Sequence, residues 1–295
     1  MTSIRFDGRV AIVTGGASGM GEHYVRALAE RGCAVLIEDP RGAPALAEEL
    51  AGAGAKVAAC EVPVGSADNA AAIARAALER FGRIDILINN AGLPAPGAFD
   101  RFSEAQVEAG FAVNLLGPFA LQRAVWPQMA RQGYGRVLNI SSNGSLGLGR
   151  NAIYAAAKAG MLGLTFDTAC EGRPLGILVN AALPSAFTPM TEQMPASDLV
   201  DWYRRNLPSR LVAEALVWFV SEACDLSGMA VTTGGGRIAR IGFAEGPFRY
   251  DPAITPEWVG AHVHEIVAGG DLRLLETQPQ ASARYRELFP FEPTA

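Results

Sequence analysis

Short runs of apolar and β-branched residues alternate with amphipathic stretches of helical length over most of this chain. Residues 9–14 predict a buried strand, 19–31 a helix stopped by Gly32, and 34–38 a second strand. The alternation continues with helix 43–53, strand 56–60, helix 67–81, strand 84–89, a long helix over 104–132 and strand 136–140. A helix through Tyr154 to about residue 170, strand 178–182 and helix 211–220 complete it. Strands alternating with helices of this length imply βαβ units, hence an α/β fold with a doubly wound parallel sheet covered by helices on both faces. We expect a single domain over 1–236 and a less regular C-terminal extension, 237–295, packed on it. The segment 185–210, before the last helix, is expected to form a substrate lid.

Composition changes this picture little. The chain has 295 residues, 49% hydrophobic and 19% charged, with net charge −5. With no basic cluster to meet phosphates, a nucleic-acid partner is not expected. No uncharged apolar run reaches bilayer length, and residues 1–8 lack an apolar signal-peptide core, so no membrane partner is expected. Cys33, Cys60, Cys170 and Cys224 are scattered without metal-ligand spacing. They are expected to be reduced thiols in a cytoplasmic protein with no metal.

The chemistry lies in the loops. Thr14-Gly-Gly-Ala-Ser-Gly-Met-Gly21 falls between the first strand and its helix. Glycines there permit a tight turn and close approach of a pyrophosphate to backbone N–H groups at the helix N-terminus, the Rossmann arrangement. Asp39 ends the second strand, where an acid binds the adenosine ribose hydroxyls and repels a 2′-phosphate, so NAD is favoured over NADP. Arg41 argues the other way, since a guanidinium could receive that phosphate. Glu38 is either a solvated neighbour or a second acid. Further on, Tyr154 and Lys158 stand one helical turn apart, and a fixed cation beside a phenol favours the phenolate. Tyr154 is therefore a candidate general acid/base.

Together these motifs resemble the short-chain dehydrogenase/reductase family. Thr14 to Gly21 matches T-G-x-x-x-G-x-G, Asn89 to Gly92 matches N-N-A-G, and Ser142, Tyr154 and Lys158 match the active-site pattern. The resemblance implies hydride transfer between a nicotinamide and a secondary alcohol or ketone. Tyr154 would move the hydroxyl proton, Lys158 would lower the tyrosine pKa and hold the nicotinamide ribose, Ser142 would donate a hydrogen bond to the substrate oxygen, and Asn114 would hold a water. It places the cofactor against Gly15, Ser18, Gly19, Met20, Gly21, Asp39, Asn90, Ala91, Gly92, Ile140, Tyr154, Lys158, Pro184 and Thr188, and implies a homodimer or homotetramer. Softer matches, such as Arg5-Phe-Asp-Gly-Arg-Val10, Phe81-Gly-Arg-Ile-Asp85, Met194-Pro195 and Ile254-Thr-Pro-Glu257, resemble the (3R)-hydroxyacyl-CoA dehydrogenase domain of peroxisomal multifunctional enzymes. The expected substrate is thus a (3R)-hydroxyacyl-CoA, with a hydroxysteroid or other bulky hydrophobic alcohol as alternative. A catalytically silent NAD-binding regulator is the reading from another class.

The chain departs from the family pattern at three places. Pro63 stands where an acid or Asn often meets adenine, and Ser185 replaces the glycine of Pro-Gly. Ser142 precedes Tyr154 by 12 residues, one fewer than usual, so counting back would select Ser141; Ser142, at the strand's exit, is preferred. Arg204, Arg205 and Arg210 are candidates for a CoA phosphate or a solvated helix face. Trp202, Tyr203 and Trp258 either line an apolar mouth or belong to the core, and His23, His262 and His264 are expected to be surface or packing residues.

Overall fold

The β-branched and apolar runs form strands because both faces of a central sheet are covered. In the computed structural model, which describes residues 3–193, 196–268, 270–275 and 277–288, the first unit runs to Arg240 and the second begins at Ile241. The first unit follows the expected alternation: β1 (Val10–Thr14), α1 (Gly19–Ala29), β2 (Ala34–Glu38), α2 (Ala43–Gly52), β3 (Val57–Cys60), α3 (Ala67–Phe81) and β4 (Ile86–Asn89). Then come α4 (Glu104–Phe111), α5 (Gly117–Gln132), β5 (Gly135–Ile140), α6 (Ala152–Gly172) and β6 (Ile177–Pro184). The segment expected to form a lid folds into two short helices, α7 (Pro189–Glu192) and α8 (Asp198–Asn206), before α9 (Ser209–Val217), β7 (Ala230–Gly234) and β8 (Arg237–Ile241). Met194 and Pro195 of the lid lie outside the described residues.

The strand order is β3-β2-β1-β4-β5-β6-β7-β8, with β1 to β7 paired in parallel. The order reverses between β1 and β4, and ligands of such sheets bind beyond the carboxyl ends of the strands at that switch. One face of the sheet packs Val13, Ile37, Ile88 and Leu138 against Tyr24 and Leu28 of α1, Leu46 and Leu50 of α2, and Val212 and Leu216 of α9. The other packs Ile12, Leu36, Leu87 and Val137 against Ile73 of α3, Leu121 and Val125 of α5, and Ala169 of α6. The expected helix over 104–132 is continuous and changes pitch in the middle. Asn114 lies in a π-helical turn, Ala112–Leu116, and its side-chain amide donates to the Gly110 carbonyl at 2.8 Å. A side chain taking a helix carbonyl widens the backbone ladder, and the Gly117 N–H reaches five residues back to Ala112.

The second unit is more regular than expected: β9 (Phe243–Glu245), α10 (Pro256–Val267), β10 (Arg273–Leu275) and α11 (Gln278–Leu288), with β9 and β10 antiparallel. His262 stacks on Trp258 within α10 at 4.3 Å between ring centroids. No helix among the described residues is long and apolar enough to cross a membrane. All four cysteines are free, Cys170 alone being exposed.

The amino-terminal ends of the strands are held by buried charge. Asp85 is 0% exposed, accepts the Val10 N–H at 2.9 Å, and pairs with Arg9 at 3.0 Å and Arg83 at 2.6 Å. Arg9 also pairs with Glu222 and lies 3.7 Å over the Tyr134 ring, which Arg136 approaches at 4.3 Å. Removing Asp85 leaves the buried Val10 N–H without its acceptor and the partly exposed Arg9 and Arg83 without their buried counter-ion. We therefore expect Asp85→Ala to lower the unfolding free energy by about 1–3 kcal/mol, read as a lower urea midpoint at unchanged slope.

Candidate active site

Every segment that carries a candidate residue ends at the carboxyl edge of the sheet. The glycine turn leaves β1 with Gly15 at φ +59° and Gly19 at φ +56°, conformations that favour glycine. A Cβ on Gly21 would collide with the Gly15 carbonyl, and one on Gly19 would lie 3.2 Å from Pro189 Cδ. The turn is thus a cradle with little room for side chains, overhung by Thr188 and Pro189. Ser18 precedes α1 without spending its hydroxyl on a helix cap, whereas Thr188 caps α7 through the Thr191 N–H. The N–H groups of the first turn of α1, which have no partner within a helix, fit a pyrophosphate beside such a cradle. Met20, in the first turn of α1, packs against the core.

Hydrogen bonds fix this turn from three sides. Thr14 Oγ1 accepts the N–H groups of Asn90 and Ala91, each at 3.0 Å, while Asn90 Nδ2 donates to the Thr14 and Gly15 carbonyls. Asp39 accepts from the Ala17 N–H at 3.2 Å and from the Arg41 N–H at 3.0 Å. Arg41 therefore meets Asp39 through its backbone, and its side chain is exposed. Pro63 is exposed, and its carbonyl accepts from Asn69.

The second half of the site is built on β5 and α6. Lys158 is 2% exposed, and its Nζ donates to the Ile140 carbonyl at 2.8 Å. In return Ser141 Oγ donates to the Lys158 carbonyl at 2.6 Å. That commits Ser141 to holding the helix and leaves Ser142 beside the Tyr154 ring, a Cβ on Gly144 lying 3.2 Å from Ser142 Oγ and 3.3 Å from Tyr154 Cε1. Ser142 Oγ also accepts the Gly144 N–H at 3.0 Å. The Lys158 ammonium lies 5.8 Å from the Tyr154 ring centroid. A Cβ on Gly92 would lie 3.4 Å from Asn114 Oδ1 and 3.7 Å from Lys158 Nζ, so Gly92 sits between those two side chains. Asn114 is 0% exposed, its amide bonded to both backbone groups of Leu93 and to Gly110. The structure thus brings Asn114, Ser142, Tyr154 and Lys158 together.

The electrostatics differ from the simple expectation that Lys158 lowers the tyrosine pKa. Burial pushes the Tyr154 phenol above its ordinary value, opposed by the Ser142 hydrogen bond. Burial likewise pushes the Lys158 ammonium down to about 8. A desolvated ammonium with no carboxylate beside it among the described residues gives up its proton more readily, and once neutral it no longer favours the phenolate.

Three features escaped the sequence reading. Glu38 is 0% exposed and accepts the Gly15 N–H at 3.2 Å. Ser185 Oγ accepts from Asn143 Nδ2 at 2.9 Å, tying the segment after β6 to the residue after Ser142. Below the site, Asn89 donates to Asn139, which donates to Thr165 and Gln122. Polar residues inside otherwise apolar strands were the available signal for this network. Arg204 pairs with Asp201 and stacks over Phe187, while Arg205 and Arg210 are exposed. A basic hollow of about 500 Å³, bordered by Arg9, Lys56, Arg80 and Arg83, lies at the other end of the strands and contains none of the candidate residues.

Comparison with known proteins identifies the family of this chain. The short chain dehydrogenase family model matches residues 9–198. Peroxisomal multifunctional enzyme type 2 of Mus musculus is 36% identical over 250 residues, 81% of this chain and 33% of that enzyme. Acetoacetyl-CoA reductase of Allochromatium vinosum is 38% identical over 212 residues, 70% of this chain and 86% of that one. The structure of full-length peroxisomal multifunctional enzyme type 2 from Drosophila melanogaster matches with a TM-score of 0.82 at 26% identity, covering 97% of this chain and 50% of that one. The chain spans about a third of the length of the mouse enzyme.

The buried ammonium makes a testable trade. Its depressed pKa means that folding at pH below about 8 forces a charge into a dry site, a cost that fades as pH rises from about 8 toward the ordinary 10.5. Lys158→Met is expected to raise Tm at pH 7 by roughly 2–6 °C, with the gap closing by pH 10, while turnover falls at least about 100-fold. Thermal melts at the two pH values and steady-state assays check the two halves.

Proposed function

Because this chain belongs to the short-chain dehydrogenase/reductase family, oxidoreductases that act on CH–OH groups with NAD(H) or NADP(H), we propose that it interconverts (3R)-hydroxyacyl-CoA and 3-ketoacyl-CoA thioesters with NAD(H). The observation that carries the reading is the convergence of Ser142, Tyr154 and Lys158 at the carboxyl edge of β5, with Ser142 beside the Tyr154 ring and Lys158 held by the Ile140 carbonyl. The bound nicotinamide supplies or accepts the hydride. Tyr154 takes the hydroxyl proton in oxidation and returns it in reduction. Ser142 donates a hydrogen bond to the same oxygen and stabilises the charge that builds on it. Lys158, beside Gly92 and Asn114, holds the nicotinamide ribose, and Asn114 fixes the loop from Asn90 to Leu93 that walls this space. At the other end, Ser18 and the N–H groups of Gly19, Met20 and Gly21 bind the pyrophosphate.

Asp39 supports NAD over NADP, since its carboxylate stands at the end of β2 where a 2′-phosphate would meet like charge. The thioester reading is supported by the acetoacetyl-CoA reductase relative and by the exposed cations Arg205 and Arg210 near the lid. The exposed Leu146 and Leu148, 72% and 73% accessible on the loop after Ser142, would suit the hydrophobic alcohol of the alternative reading. Exposed Leu116 and Phe119, and the exposed small residues Ala156, Ala159 and Gly163 of α6, support assembly of a homodimer or homotetramer through α5 and α6. The free thiols support a reducing compartment, and we propose the cytoplasm.

The test is nicotinamide oxidation at 340 nm on matched panels of 3-ketoacyl-CoA thioesters and ketosteroids, with NADH and NADPH in parallel. We expect thioester turnover with NADH and a fall of roughly 10²–10⁴ in Tyr154→Phe. Turnover of steroids alone would replace the substrate and keep the residues; dinucleotide binding with no turnover on either panel would favour a regulator.

A further inference from the structure

Glu38 is the one acid in this site without an obvious task. It closes β2 in register with Thr14 on β1 and Cys60 on β3, and it is 0% exposed. Its backbone carbonyl accepts the Gly16 N–H at 2.9 Å, and its Oε2 accepts the Gly15 N–H at 3.2 Å. Oε1 is buried without a hydrogen-bond partner. Two successive N–H groups of the glycine turn thus hang on one residue, and half of its carboxyl group is unsatisfied. An ionised carboxylate in that position would be a buried charge with one hydrogen bond, which is costly; a neutral carboxyl removes most of that cost.

We propose that Glu38 carries a proton when the dinucleotide binds, and that its ionisation weakens binding by setting a second negative charge beneath the turn, beside Asp39 and the pyrophosphate. The inference rests on the dinucleotide-binding reading above. Asp39, next in the chain, and the Cys60 thiol across on β3 are the titratable groups that act on Glu38, and neither is a cation. Thr14 and the glycine turn bring no titratable group, and Arg41 meets Asp39 through its backbone N–H. Burial and Asp39 both hold the Glu38 proton on, against the Gly15 bond, and push its pKa up to about 8. The expected loss of affinity therefore falls between pH 7 and 9. Lys158 titrates in the same window and loses positive charge there, so wild-type behaviour alone does not isolate Glu38.

The experiment is an NADH fluorescence titration at pH 6.5 and pH 9 on the wild type and Glu38→Gln, which keeps the shape and an acceptor for Gly15 but cannot ionise. The wild type is expected to lose on the order of tenfold more affinity than the variant across this range, since roughly tenfold in Kd is what one added charge at this distance is worth. Equal losses in the two proteins overturn the proposal while leaving the dinucleotide reading intact. A wild type that binds neither NADH nor NADPH overturns the functional reading itself. If Glu38→Gln does not fold, calorimetry on Lys158→Met in two buffers of different ionisation enthalpy decides. NADH binding at pH 8 must then still take up protons, and binding without uptake sinks the proposal.

Discussion

The site depends on a reciprocal pair of hydrogen bonds between a strand end and a helix. Lys158 donates to the carbonyl of Ile140, and Ser141 donates to the carbonyl of Lys158. Each bond alone would tolerate sliding of α6 along β5. The two together fix both the rotation and the height of the helix, because one runs from its side chain and the other to its backbone. Tyr154, one turn earlier on the same helix, is placed by that fixation against Ser142, one residue beyond Ser141. The same latch explains why adjacent serines on one strand exit have different work: their side chains alternate between the helix and the open edge.

Sheet topology supplies the rest. The reversal of strand order between β1 and β4 opens a crevice at their carboxyl ends, and the glycine turn, Asp39, Asn90 and Gly92 all border it. Strand ends alone would leave the turn free to move. Thr14, Asn90, Asp39 and Glu38 hold its backbone instead, so its geometry is set before anything binds. The polar network of Asn89, Asn139, Gln122 and Thr165 ties β4 and β5 to α5 and α6 directly below. Buried amides that hydrogen-bond across from one element to the next keep these elements in a single register, where an apolar layer would accept several packings.

Much of this was legible in the residues, for physical reasons. Apolar strand runs and helical periodicity gave β1 to β6 and their helices within a few residues, since burial on both faces leaves no other use for such runs. Glycines in the first turn were legible because backbone conformation and close approach leave few alternatives. Three things were not. The π-helical turn at Asn114 arises from a side chain competing for a helix carbonyl, and periodicity does not encode that contest. The regular second unit was not legible from apolar runs, because β9 and β10 are only three residues each and Pro256 opens α10, where proline is well tolerated. The direction of the Tyr154 pKa was not legible because i, i+4 spacing counts charges and not solvent: burial pushes the phenol up, opposed only by Ser142, and pushes the ammonium down.

One consequence follows from the length of α6. Its far end is wedged: a Cβ on Gly172 would lie 2.7 Å from the Ile177 carbonyl and 3.0 Å from the Trp126 ring. Gly172 is eighteen residues beyond Tyr154, about 27 Å along the axis. A stiff rod clamped at both ends transmits a push at one end to the other, so the helix behaves as a ruler whose zero is set far from the chemistry. Selection for altered turnover would therefore find its substitutions among the small residues where α5, α6 and β6 meet, remote from anything that touches the reacting atoms.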